Sequence, residues 1–167
     1  MKIRAYHLGE EHEIWQLFKQ TIHHVNSQDY SQKQLDAWAP TTFDKTLWRN
    51  KLRELSSFVC VTEEKIVGYS DLQTNGYIDH FFCHHHYQGK GVVTALMTHI
   101  HTLAEQQKNI TQLSADVSVT AKPFFEIKGF KVVKQQSVPT RGKILTNFKN
   151  NEVFKKLGGR KFKIQND

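Results

Sequence analysis

Between Tyr77 and Ala104 the chain changes its apolar period, and a pair of glycines marks the change. Tyr77, Asp79, Phe81 and Cys83 alternate with their neighbours as a strand requires, whereas Val93, Leu96, Met97, Ile100, Leu103 and Ala104 recur at helical steps. The connection runs through Gln88-Gly89-Lys90-Gly91-Val92-Val93, where glycines let the backbone bend tightly. Such a bend turns successive amides into one concavity beside the positive end of the helix dipole, a place that suits phosphate oxygens. Lys90 adds charge at the rim. Spacing excludes two other nucleotide turns: there is no GxxxxGK[ST] segment, and a GxGxxG turn would need glycine where Thr94 stands. Glycines also precede helices for steric reasons alone, so the turn by itself leaves a purely structural role open.

The flanking sequence predicts the elements around this turn. Lys2 to Tyr6 alternates as a short first strand, and from Glu10 an apolar stripe of Ile14, Trp15, Phe18, Ile22 and Val25 predicts a helix. A polar loop follows. Ser31 can cap a second helix carrying Leu35 and Trp38 and stopped by Pro40, and Thr42 or Asp44 can open a third with Leu47, Trp48, Leu52 and Leu55. Ser57–Thr62, Ile66–Leu72 and Tyr77–Cys83 read as an antiparallel meander, turning at Glu63-Glu64-Lys65 and Asn75-Gly76. After the long helix come a strand at Leu113–Val117, a helix at Thr120–Ile127 stopped by Gly129, and paired strands at Phe130–Val133 and Ile144–Phe148. This order predicts an α/β fold, with a mixed, mostly antiparallel central sheet and helices on both faces.

At 167 residues the chain fits one domain. Its net charge of +7 is unevenly spread: residues 141–167 hold eight basic side chains against Glu152 and Asp167, which accounts for six of the seven charges. The reading is a domain at 1–150 followed by a basic, solvated tail at 151–167, an anionic partner for the tail being the sharper alternative. The near-neutral body argues against nucleic acid as the main partner. Cys60 and Cys83 lie outside any CxxC spacing, so neither a disulfide framework nor a zinc site is encoded, and a cytoplasmic setting is expected. No apolar run approaches the roughly 20 residues of a membrane helix, and the N-terminus lacks a signal peptide's apolar core. Neither export nor a membrane partner is expected. His84, His85 and His86 are consecutive and cannot easily converge on one ion, and Gln16 breaks an HExxH pattern at His12, so no metal is expected. Trp15, Trp38 and Trp48 fall at apolar helix positions and read as core.

Taken together, the element order and the glycine turn resemble the GCN5-related N-acetyltransferase family over roughly residues 1–149. That family carries Gln or Arg, two residues, Gly, one residue, and Gly or Ala at the turn that holds the pyrophosphate of acetyl-CoA. Gln88 through Val92 fit, and Val93 departs from the small final residue. A second stretch, Ala121-Lys122-Pro123-Phe124-Phe125-Glu126-Ile127-Lys128-Gly129-Phe130, is similar to the family's helix along the pantetheine arm. The resemblance implies an acetyl-CoA-dependent N-acetyltransferase acting on a primary amine of a small molecule or peptide, as monomer or homodimer. The alternative is a coenzyme-binding regulatory or nucleic-acid-associated module with the same fold and no catalysis.

By the same resemblance the coenzyme meets Phe82 and Cys83 through their main chain, the turn residues Gln88, Gly89, Lys90, Gly91, Val92, Val93 and Thr94, and the ring of Phe125. Transfer to an amine also needs a base, and Asp79 is the leading candidate, with simple pairing to a neighbouring His as the competing view. His80 faces away unless the strand bulges. Phe125 stands where the family commonly has Tyr and cannot give a proton to the departing thiolate. Ser118 is the candidate in its place, against an ordinary loop or cap bond, with Thr120 and Tyr30 as further hydroxyls. His23, Asp29 and Tyr30, in the loop after the first long helix, are the expected acceptor-binding residues, Asp29 favouring a cationic amine.

Overall fold

A computed structural model describes residues 1–153, and within them the apolar stripes fold as their periods require. Strand β1 (Lys2–Ala5) leads into helix α1 (Glu11–His24), a short 3-10 turn (Asn26–Gln28), and helices α2 (Gln32–Trp38) and α3 (Lys45–Glu54). Ser31 caps α2 in a capping box with Gln34, and Asp44 Oδ1 accepts the Leu47 amide at 2.9 Å at the start of α3. The buried carboxylate of Glu11 ties the first elements together: Tyr6 Oη donates to it at 2.7 Å and Arg49 Nε at 2.9 Å.

The hairpin of β2 (Phe58–Thr62) and β3 (Lys65–Ser70) turns on Glu63 and Glu64, both at positive φ, so Lys65 is already strand. Helix α4 (Val92–Gln106), strand β6 (Gln112–Ser118) and helix α5 (Lys122–Ile127) follow in the expected order. One core cluster packs α4 and α5 against the sheets and the other packs α1 to α3 against them, so helices cover both faces of a mixed, mostly antiparallel structure. Among the described residues no helix is long and apolar enough to cross a membrane.

The third strand departs from the reading of Tyr77–Cys83 as one element. It breaks into β4 (Tyr77–Ile78), parallel to β6, and β5 (Phe81–Cys83), antiparallel to β3. Two four-stranded sheets result, β1-β2-β3-β5 and one in which β4 and β6 are joined by the last two strands. Alternation cannot reveal such a break, because both halves keep a strand pattern. The final hairpin is also longer than the apolar residues suggest: β7 spans Lys131–Thr140 and β8 spans Lys143–Val153. Its loop is Arg141-Gly142, both at positive φ, the geometry that matches strand twist in a two-residue turn. The β7 strand is an edge, which explains why its polar residues and Pro139 are tolerated. Pairing of β8 with β6 continues to Val153, so the expected boundary at 150 falls inside a strand. The rest of the basic tail lies outside the described residues.

Gly68 fixes how closely α4 approaches β3. A Cβ there would lie 2.6 Å from Val92 Cγ1 and 3.0 Å from the Phe82 carbonyl oxygen. Gly68→Ala is expected to destabilise the fold by roughly 1–3 kcal/mol through overpacking. The measurement is a urea midpoint that falls with an unchanged m-value.

Candidate active site

The site begins at the break between β4 and β5. Asp71, fully buried just after β3, accepts the His80 amide at 2.6 Å (Oδ1) and the Asp79 amide at 3.3 Å (Oδ2). Ser70 Oγ donates to the His80 carbonyl at 2.6 Å. These side chains supply hydrogen bonds that a continuous ladder would have made, so the backbone can turn without leaving buried groups unpaired. Burial pushes the Asp71 carboxyl up to about 6, against the two amide hydrogen bonds, which favour the charged form. His80 points inward. Its ring stacks on Phe18 and shares a 2.9 Å hydrogen bond with Tyr69 Oη, and burial lowers its pKa to about 3, so it is neutral.

Asp79 is the one of the pair that faces open space. Its Oδ2 lies 3.8 Å from Lys51 Nζ and 3.8 Å from His80 Nε2, and the side chain is about one-third exposed. It stands where two cavities meet. A groove of about 280 Å³ runs between the end of β5 and α5, past Phe81, Cys83, Gln88, Val93, Phe124 and Phe125. A larger cavity of about 580 Å³ opens on the other side, beneath α1 to α3 and the β7–β8 turn. The walls they share are Trp38, Asp79, Phe82 and Ser118.

At the far end of the groove, Gly89 and Gly91 take φ values of 70° and 82°, and Gly91 precedes α4 directly. The first-turn amides of a helix have no intrahelical acceptor, so the bend presents them outward. Gln88 Nε2 donates to the Cys83 carbonyl at 2.9 Å and Thr21 Oγ1 donates to it at 2.8 Å, binding the turn and α1 to the end of β5. Lys90 Nζ lies 4.8 Å over the Tyr87 ring. Val92 is buried in the core, Val93 lines the groove and Thr94 is exposed. Burial raises the Cys83 thiol to about 12, which leaves it no nucleophilic role at neutral pH.

The remaining residues singled out from sequence divide into two groups. Ser118 lies at the junction, where its Oγ accepts from Asn26 Nδ2 at 3.3 Å and from the Ala121 amide at 3.1 Å. Phe125 is buried in edge contact with Phe81 and Phe130 beside the groove. Tyr30 reaches the larger cavity, and its hydroxyl donates to the Thr146 carbonyl at 2.5 Å and accepts from the Val119 amide at 2.9 Å. Asp29 accepts from Thr120 Oγ1 at 2.8 Å, and His23 turns to the Ala39 carbonyl at 3.0 Å; neither lines either cavity. Asn26, of the same loop as His23, Asp29 and Tyr30 and expected with them to meet the acceptor, lines the groove instead. The structure adds residues that the sequence did not single out, chiefly Asp71, Asp116 and Arg141. A carboxylate following a run of buried strand residues was a readable signal for Asp71. The three tryptophans are largely buried, as expected for core, yet each also forms part of a cavity wall. Among the described residues no group of three or more His, Cys, Asp or Glu side chains is placed to hold a metal ion.

A sheet that splays beside a glycine turn, with a groove leading from that turn to a carboxylate, agrees with comparison to known proteins. The profile described as "Acetyltransferase (GNAT) domain" matches residues 26–149. The Escherichia coli K12 protein YafP, named an uncharacterized N-acetyltransferase, is 35% identical over 148 residues, covering 89% of this chain and 93% of YafP. The fold is shared with a GCN5-related N-acetyltransferase from Rhodopseudomonas palustris, at TM-score 0.87 and 24% identity over 92% of this chain and 95% of that one. It is also shared with Salmonella typhimurium yncA, solved with acetyl-CoA, at TM-score 0.68 and 15% identity over 96% and 98%. The chain belongs to the GCN5-related N-acetyltransferase family, whose enzyme class is acetyl-CoA-dependent N-acetyl transfer.

The raised Asp71 carboxyl gives a pH dependence with a defined sign. Unfolded Asp titrates near 3.9, so between about pH 4 and 6 the folded state binds the additional proton and stability falls as pH rises. Asp71→Asn is expected to flatten that part of the slope, read as the urea midpoint at a series of pH values. An unchanged slope would assign the titration elsewhere.

Proposed function

We propose that the groove binds acetyl-CoA and that the protein passes its acetyl group directly to a primary amine of a small molecule or peptide held in the larger cavity. The observation that carries this reading is the meeting of the two cavities at Asp79, Phe82 and Ser118. A donor in one and an acceptor in the other come together only there, beside a carboxylate and a hydroxyl.

The residues present fit the coenzyme. At the turn, Gly89 and Gly91 carry no side chain of their own ahead of the amides of Gly91, Val92, Val93 and Thr94, which open the helix and suit phosphate oxygens, and Lys90 supplies a nearby cation. Between turn and junction the groove is lined by Val93, Val117, Phe124 and Phe125, an apolar channel suited to a thin, mostly apolar arm. Acetyl-CoA supplies an acetyl group already activated as a thioester.

The chain's own groups then divide the work. Strand alternation turns the Cys83 amide to the same side as its carbonyl, away from β3, so it is available to the oxygen that gains charge during attack. Asp79 takes the proton that the acceptor nitrogen must lose, directly or through one water. Both acceptor positions of Ser118 Oγ are used by Asn26 and Ala121, so its hydrogen is what remains to offer the departing thiolate. Phe125 can only pack. His80, neutral and buried behind Asp79, shapes the cavity floor.

In a thiol-release assay, Asp79→Asn is expected to lower kcat by about 10²-fold or more while acetyl-CoA still raises the melting temperature. Ser118→Ala should lower kcat about tenfold. Full activity of Asp79→Asn would remove the base from the scheme. Coenzyme binding without release for any amine would favour the regulatory alternative.

A further inference from the structure

The make-up of the larger cavity narrows the acceptor, an inference that rests on the acetyl-transfer reading above. Its apolar wall is built mainly from rings: Trp15, Phe18, Trp38, Trp48 and Phe82. Phe18 meets Trp48 edge-on at 5.1 Å and Phe82 at 5.0 Å, so these three rings form a connected surface, flanked in the lining by Trp15 and Trp38. An aromatic body entering there finds faces and edges at the offset geometries that rings prefer, and a cation beside them gains from their quadrupoles. Aliphatic chains gain burial alone.

Charge sets a second limit. Asp44, Asp79 and Asp116 face Lys51 and Arg141 around the cavity, and His80 is neutral, which leaves one net negative charge. Two of the carboxylates are already engaged. Asp44 caps α3, and Asp116 accepts from Tyr77 Oη at 3.1 Å and Gln136 Nε2 at 3.0 Å. Asp79 faces Lys51 at 3.8 Å, beyond hydrogen-bond length, and can turn to an incoming ammonium. A second ammonium on the same molecule would stand among Lys51 and Arg141, with only Asp44 and Asp116, each already holding neutral donors, to meet it. The volume of about 580 Å³ lies in the range of small-molecule sites.

We propose that the acceptor is a small primary monoamine carried on an aromatic ring system, its ammonium at Asp79 and its ring among Phe18, Trp38 and Trp48. Polyamines and aliphatic amines are then poor substrates. On transfer the ammonium first gives one proton to Asp79. Its nitrogen then bonds to the acetyl carbon as the carbon–sulfur bond breaks, and the second nitrogen proton passes through Ser118 or a water to the departing thiolate, so that Ser118 ends with its own hydrogen restored. The product is a neutral amide that no longer pairs with Asp79, which favours its release.

The test compares 2-phenylethylamine and tryptamine with n-butylamine, 1,4-diaminobutane, spermidine and a lysine-containing peptide, by thiol release at saturating acetyl-CoA. In parallel, tryptophan fluorescence is titrated with each amine in the presence of coenzyme A, where no turnover occurs. The ring-bearing amines are expected to show kcat/KM about tenfold or more above n-butylamine, chiefly through KM, and saturable quenching. Trp48→Leu should narrow that ratio; the wild-type comparison decides the matter even if this variant does not fold. Lys51→Gln should improve 1,4-diaminobutane relative to n-butylamine. If n-butylamine, a polyamine or the peptide matches the ring-bearing amines, the acceptor assignment falls while acetyl transfer stands. Saturable quenching by ring-bearing amines with no release for any amine overturns the transfer reading but keeps the ligand class. Absence of both overturns this inference.

Discussion

The two backbone amides held by the Asp71 carboxylate are the interaction on which the site depends. A strand crossing a sheet normally gives its amides to its neighbours, and interrupting it in the interior leaves polar groups whose burial costs about 1–3 kcal/mol each. Asp71 removes that cost at Asp79 and His80, and Ser70 does the same for the His80 carbonyl. The sheet can therefore part between β4 and β5. One side of the gap becomes a groove, the other a cavity, and the residue at the break faces both.

Around that break, polar side chains are used chiefly to fix backbone. Tyr30 Oη bridges the Thr146 carbonyl and the Val119 amide, holding the loop after α1 against β8 and the end of β6. Thr21 and Gln88 share the Cys83 carbonyl, so α1, β5 and the glycine turn are tied together at one atom. Asn26 and Ser118 join the 3-10 turn to the start of α5. A site on splayed strands is otherwise free to widen; these bonds set the width of the junction through which an acetyl group would have to pass.

The environments of neighbouring groups at the break are sharply different. His80 is buried, neutral and bonded to Tyr69, whereas the adjacent Asp79 is partly exposed beside Lys51. Consecutive residues on a regular strand would face opposite sides of one sheet. Here the turn of the backbone lets both contribute to one cavity, with Asp79 at its opening to the groove and His80 on its aromatic floor.

Much of this was legible in the sequence. The switch of period across Gly89 and Gly91, the capping of α2 by Ser31, the stripe of α1 and the motif around Phe125 are local, and local patterns are what propensity and periodicity encode. The turn was legible for that reason, whereas Asp79 and Ser118 were singled out with the help of the family resemblance, and both line the junction of the two cavities. The tertiary structure alone decided that Tyr77–Cys83 breaks, because the cause is a carboxylate eight positions earlier that alternation does not sense. It also decided that Trp15, Trp38 and Trp48 wall a cavity while remaining largely buried, that Asp116 and Arg141 join them, and that His23 turns toward α2. A sequence determines which residues prefer burial and which conformations they favour; which buried surfaces stop short of contact and leave a space depends on how three layers pack, a property held by no segment of the chain.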